Sequence, residues 1–86
     1  MIELFNIEAE QAVIGALLRD NDALDRIAEL DASHFYRGDH RTVYAELVAQ
    51  IAAGRRVDAV TLADKIDREL LPYLAGLHGS AASAAK

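Results

Sequence analysis

The sequence predicts an all-α fold, a small orthogonal bundle of four to five helices. Two observations carry that expectation. No alternating apolar–polar pattern runs longer than four residues, and apolar residues recur instead at spacings of three and four. Residues that start and stop helices also fall at the ends of the periodic segments.

The first helix is expected over Ile7–Arg19, with Asn6 as its N-cap and Glu8 and Glu10 in the first turn, at the positive end of the helix dipole. Val13, Ile14, Leu17 and Leu18 form adjoining apolar stripes, padded by Ala9, Ala12 and Ala16. A face that wide suits a helix packed between neighbours. Gly15 costs about 1 kcal/mol relative to alanine inside a helix, and its expected use is close approach of another backbone. A short second helix is expected from an Asp20 or Asn21 cap to about Leu30, with Leu24, Ile27 and Ala28 inward. The stretch "DASHFY" reads as a loop or a single turn.

The third helix is expected over His40–Ala53, capped by Asp39 and ended by Gly54 as the C′ residue. Val43, Leu47 and Ile51 form one row on it, and Tyr44 and Val48 the next. A fourth helix follows a cap at Asp58 or Thr61, with Leu62, Ala63, Ile66 and Leu70 facing inward. Pro72 suits the first turn of a short fifth helix through Leu77, which Gly79 is expected to end. The domain is therefore drawn over residues 1–79, with a frayed tail over 80–86.

The composition narrows the function classes. The chain has 86 residues, which fits one small domain with a thin core. It is 52% hydrophobic and 27% charged, a globular balance. Cysteine is absent, which excludes disulfides and thiolate metal sites and fits a cytoplasmic setting. No apolar run approaches the roughly 20 residues of a membrane span, and the acidic start "MIELFNIEAEQ" carries no secretion signal. The net charge is −5, and the only adjacent basic pair is Arg55-Arg56. Direct binding to nucleic acid calls for clustered Lys and Arg, so a protein partner is expected instead.

Candidate chemistry is sparse. His34, Asp39 and His40 lack the i, i+4 helical spacing of a metal pair, and His78 is remote in sequence. Ser33, Ser80 and Ser83 lie in no nucleophile-elbow context. Glu8 with Glu10, and Asp64 with Asp67, read as solvated or dipole-facing acids. The glycines form no phosphate loop. Phe35 and Tyr36 could stack on bases, but adjacent aromatics at a turn usually plug one end of a helical core, with the tyrosine hydroxyl at the surface. Arg41 reads as an ion-pair partner or a cover over the core. Arg55-Arg56 follows a helix C-terminus, where cations are favoured. His40 reads as a helix-start residue that packs and hydrogen-bonds locally. No catalytic, cofactor, metal or small-molecule site is expected.

Four segments then stand in order: "NIEAEQAVIGALL" (residues 6–18), "DNDALDRI" (20–27), "FYRGDHRTVY" (35–44) and "GRRVDAVTLAD" (54–64). Together they resemble the N-terminal domain of DnaB-type replicative DNA helicases. The matching positions include Glu10, Gln11 and Gly15; Phe35, Tyr36, His40 and Arg41; and Gly54, Asp58, Thr61 and Leu62, with Asp39 beside His40 as the expected cap. "LPYLAGLHGSAASA" resembles the segment that follows in that family, after a connection between Asp64 and Pro72 that looks shortened. The resemblance implies a helical domain that forms a collar on a hexameric helicase; in that family, much of the pairing surface comes from a helical hairpin that follows the point where these residues stop. It implies self-association and docking of primase or helicase loader. ATP hydrolysis would belong to a RecA-like motor domain that these residues do not contain. A free-standing helical regulator that binds such a helicase is the alternative expectation.

Overall fold

The computed structural model describes residues 7–27 and 29–84, with side chains through Leu77. The expected Asn6 cap and the inward Ala28 lie outside the described residues, as does the side chain of His78. Four α-helices carry the fold: α1 (Ile7–Arg19), α2 (Gly38–Ala52), α3 (Ala59–Ile66) and α4 (Leu71–Ala84). Three 3-10 segments join them, Asn21–Ile27, Ala32–His34 and Arg68–Leu70, and there is no strand among the described residues. The molecule measures 31 × 28 × 25 Å along its principal axes.

α1 lies centrally, against α2, α4 and the 3-10 segment that follows it; α3 packs on α2 and α4. Its stripes supply Ile14, Leu17 and Leu18 to the core. α2 adds Val43, Tyr44 and Leu47, α3 adds Leu62 and Ala63, and α4 adds Leu74 and Leu77. Leu30, Phe35 and Val57 close the core from the connections. Phe35 lies against Tyr44 with ring centroids 4.7 Å apart, and the Tyr44 hydroxyl donates to the Leu30 carbonyl at 2.8 Å. Desolvation raises the Tyr44 pKa above its ordinary value, with Asp31 adding to the shift.

Local chemistry explains where the elements begin and end. Asp58 caps α3 in a reciprocal box with Thr61: its side chain accepts from the Thr61 N–H, and the Thr61 hydroxyl serves the Asp58 N–H. Gly54 follows α2 at φ 80, the left-handed conformation that suits glycine. The Gly54 N–H donates to the Ile51 carbonyl and the Arg55 N–H to the Gln50 carbonyl, a Schellman closure.

Four boundaries differ from those the sequence predicts. The segment after α1 is a 3-10 helix, not an α-helix. The Asp20 carboxylate caps it at the Asp22 N–H, and the buried Asn21 side chain is tied elsewhere. Asp39 does not cap α2; the helix starts two residues earlier, at Gly38, with Arg37 at the N-cap position, which makes no side-chain cap bond. α3 stops at Ile66 rather than running to Leu70. There the extended Asp67 turns its carboxylate onto the Glu69 N–H and starts a new 3-10 turn. α4 passes through Gly79 and reaches Ala84, so that glycine does not end it. One glycine among alanines costs too little to break a helix already anchored in the core.

Candidate functional site

The first turn of α1, the start of α2 and the first turn of α4 converge on three side chains. Glu10 and His40 are wholly buried, and the half-buried Tyr73 closes over them. His40 Nδ1 lies 2.7 Å from Glu10 Oε1, and His40 Nε2 lies 2.6 Å from the Tyr73 hydroxyl. The His40 and Tyr73 rings stack with centroids 5.9 Å apart. Gln11 Nε2 donates to the Tyr73 oxygen at 3.0 Å, and Arg37 Nη1 reaches it at 3.5 Å. Gln11 and Arg37 both donate to the Tyr73 oxygen, so its one hydrogen is left to point at His40 Nε2, the arrangement that pairs a hydrogen on Nδ1 with Glu10.

Glu10 also holds the entry to α2. Its Oε2 accepts from the Tyr36 N–H, and its Oε1 accepts from the Arg37 N–H at 3.4 Å. Burial pushes this carboxyl upward, but the Tyr36 N–H, the His40 ring and the Arg37 N–H outweigh it and hold Glu10 below the ordinary carboxylate value. The sequence reading placed Glu10 as a first-turn partner of the helix dipole and His40 as a locally bonded residue. The structure keeps Glu10 in the first turn of α1 but buries it in hydrogen bonds, and it corrects His40, whose ring bonds Glu10 and Tyr73, 30 and 33 residues away. Glu10 shares the apolar face of Ile14 and Leu17, and its partners come from α2 and the two residues that lead into it.

The other corner residues divide sharply. Phe35 is buried, whereas Tyr36 is 80% exposed and contributes its backbone rather than its ring to the anchor. That corrects the expectation that both aromatics plug the core. Arg41 forms no carboxylate pair; its Nη1 donates to the Phe35 and Tyr36 carbonyls, each at 2.9 Å. Asp39 receives the Arg37 guanidinium on both oxygens and also the His40 N–H. Desolvation raises its pKa, but the Arg37 hydrogen bond and charge bring it below its ordinary value. His34 accepts the Asp31 N–H at 2.9 Å.

A second tie sits at the opposite end of α1. Asn21 is buried; its Nδ2 donates to the Leu17 carbonyl at 2.8 Å and to the Val57 carbonyl at 3.1 Å, and its Oδ1 accepts the Val57 N–H at 2.8 Å. This fixes the loop between Gly54 and Asp58 against α1, and so sets where α3 and Leu62 enter the core. Gly15 is buried between the two ties. The sequence offers Asn21 only as a helix cap, and it does not single out Arg37 or Tyr73. The signal for Glu10 and His40 was present, because each interrupts an otherwise apolar stripe on its helix (Glu10–Ile14–Leu17 and His40–Val43–Tyr44–Leu47).

A carboxylate–imidazole–hydroxyl chain has the order of a hydrolytic triad, but its reactive atoms face inward. Glu10 and His40 have no accessible surface. The open clefts over Gln50–Lys65 and Ala12–Ile27 are lined by other residues. Among the described residues no buried side-chain polar atom lacks a partner, and no group of three or more His, Cys, Asp or Glu residues gathers as a metal site. No described helix is long and apolar enough to cross a membrane.

A small all-α domain with a closed polar tie is the class that this geometry defines. Residues 2–86 match the DnaB-like helicase N-terminal domain, and the chain belongs to that family. It is 38% identical over 73 residues to the replicative DNA helicase DnaB of Treponema pallidum, covering 83% of this chain and 17% of that protein. It is 35% identical over 88 residues to the DnaB of Mycobacterium leprae, covering 93% of this chain and 15% of that protein. The chain thus spans about a sixth of the length of these relatives.

Proposed function

We propose that this domain acts as a non-catalytic collar and docking module of a replicative helicase, in the cytoplasm, supporting oligomer assembly and receiving primase or helicase loader. The observation that carries the reading is the inward bonding of the Glu10–His40–Tyr73 chain within a domain of this family. The ionisable residues with the best-defined geometry join helices and leave no reacting group exposed. A domain so built offers its partners surfaces rather than chemistry. ATP hydrolysis and strand translocation would lie in a separate motor domain, because these residues include no phosphate loop.

Calorimetry with the primase and the loader of the same organism tests the docking role. Binding to either one at protein concentrations up to about 100 μM is the expected result. No heat with both at that concentration would overturn it.

A further inference from the structure

We infer that the cleft between α2 and α3 is a docking site for an acidic segment of a protein partner. The inference rests on the docking role proposed above and gives the chemistry of the segment that docks. The starting point is where the positive charges go. Arg26 pairs with Asp20, Arg37 with Asp39 and Arg68 with Asp64. Arg41 is occupied by the Phe35 and Tyr36 carbonyls, and Arg19 is also engaged. The remaining described cations are Arg55, Arg56 and Lys65, and all three line one open cleft of about 470 Å³.

Among the described residues none of these three meets a carboxylate. Arg55 Nη1 touches only the neutral Gln50 Oε1, at 3.4 Å. The acid lining the cleft, Asp64, is committed to Arg68 at 2.9 Å. The fold holds the charges together by three devices already described. The Schellman turn at Gly54 places Arg55 and Arg56 just beyond α2, and the Asn21–Val57 tie fixes their loop. The Asp58–Thr61 box then starts α3, which brings Lys65 to the same opening.

Cations after a helix C-terminus are favoured by its dipole, which accounts for Arg55 and Arg56 being basic. It also suits Lys65 in the last turn of α3, but it does not account for two helix ends bringing all three cations to one cleft without a counter-charge among the described residues. Concentrated positive charge in a chain of net charge −5 is complementary to a short acidic peptide segment. A long polyanion such as single-stranded DNA would extend past the cleft and meet the net negative charge of the rest of the chain, which opposes it.

The test is fluorescence anisotropy of the 86-residue chain with a labelled peptide of alternating Glu and Leu. The expected result is saturable binding that weakens as salt screens the charges. Arg56→Glu combined with Lys65→Glu should reduce affinity by about tenfold or more, while Arg26→Glu, outside the cleft, leaves it unchanged. Absence of peptide binding would overturn the inference. So would equal loss with Arg26→Glu, or tighter binding of inorganic phosphate or oligothymidylate than of the peptide. These outcomes are separable from failure of the docking role, which is decided by primase and loader binding to the unsubstituted domain.

Discussion

The domain has two regions rich in charge, and they are built in opposite ways. At the junction of α1, α2 and α4, Glu10, His40, Tyr73, Gln11 and Arg37 answer one another's hydrogen bonds. Between α2 and α3, Arg55, Arg56 and Lys65 stand open with no carboxylate partner among the described residues. The first arrangement fixes helices; the second leaves recognition groups available. The difference teaches that residue type alone does not separate structural from functional charge. Burial and the presence of a partner do.

The contrast breaks most visibly at Glu10. Replacing it with alanine strips three donors of their acceptor, the Tyr36 and Arg37 N–H groups and the His40 ring, and should cost roughly 3–5 kcal/mol, as removal of one member of a buried pair does. Against a total stability of about 5–15 kcal/mol, thermal or urea unfolding will show a large loss. Tyr73→Phe removes one hydroxyl and leaves His40 Nε2 without its donor; the expected loss is about 1–3 kcal/mol. Asp58→Ala deletes the α3 cap and should cost about 1 kcal/mol. At the small end, Arg56→Glu in the open cleft should change stability by less than about 0.5 kcal/mol. A large loss there would show that the cleft is structural after all.

The same carboxylate predicts a pH dependence. Glu10 sits below its ordinary value in the folded state. The unfolded chain therefore binds its proton at higher pH than the folded chain does. The resulting stability is fully present above the ordinary carboxylate range and is lost as pH falls through the lowered folded value. Glu10→Gln should flatten the acid limb of the stability–pH curve. Asp39, also lowered, retains its share.

Local features were legible in the sequence. The bounds of α1 follow from the spacing of Val13, Ile14, Leu17 and Leu18, and the Gly54 and Asp58–Thr61 signals mark real turns. Each depends on neighbours within one helical turn. The ties were not legible, because Glu10, His40 and Tyr73 stand 30 and 33 residues apart along the chain. Asn21 likewise reads as a cap until Val57, 36 residues on, lies beside it. The cationic cleft was hidden for the same reason. Arg55-Arg56 is visible as a pair, but only the fold brings Lys65 to it and commits Asp64 to Arg68.

A double-mutant cycle on stability, with Glu10→Gln, His40→Gln and both together, tests the closed tie most directly. Coupling between the two positions of about 0.5–3 kcal/mol is the predicted result, because His40 Nδ1 and Glu10 Oε1 bond each other directly. Losses that simply add, or two substitutions that leave the unfolding midpoint where it was, would contradict the claim that these polar residues hold the helices together.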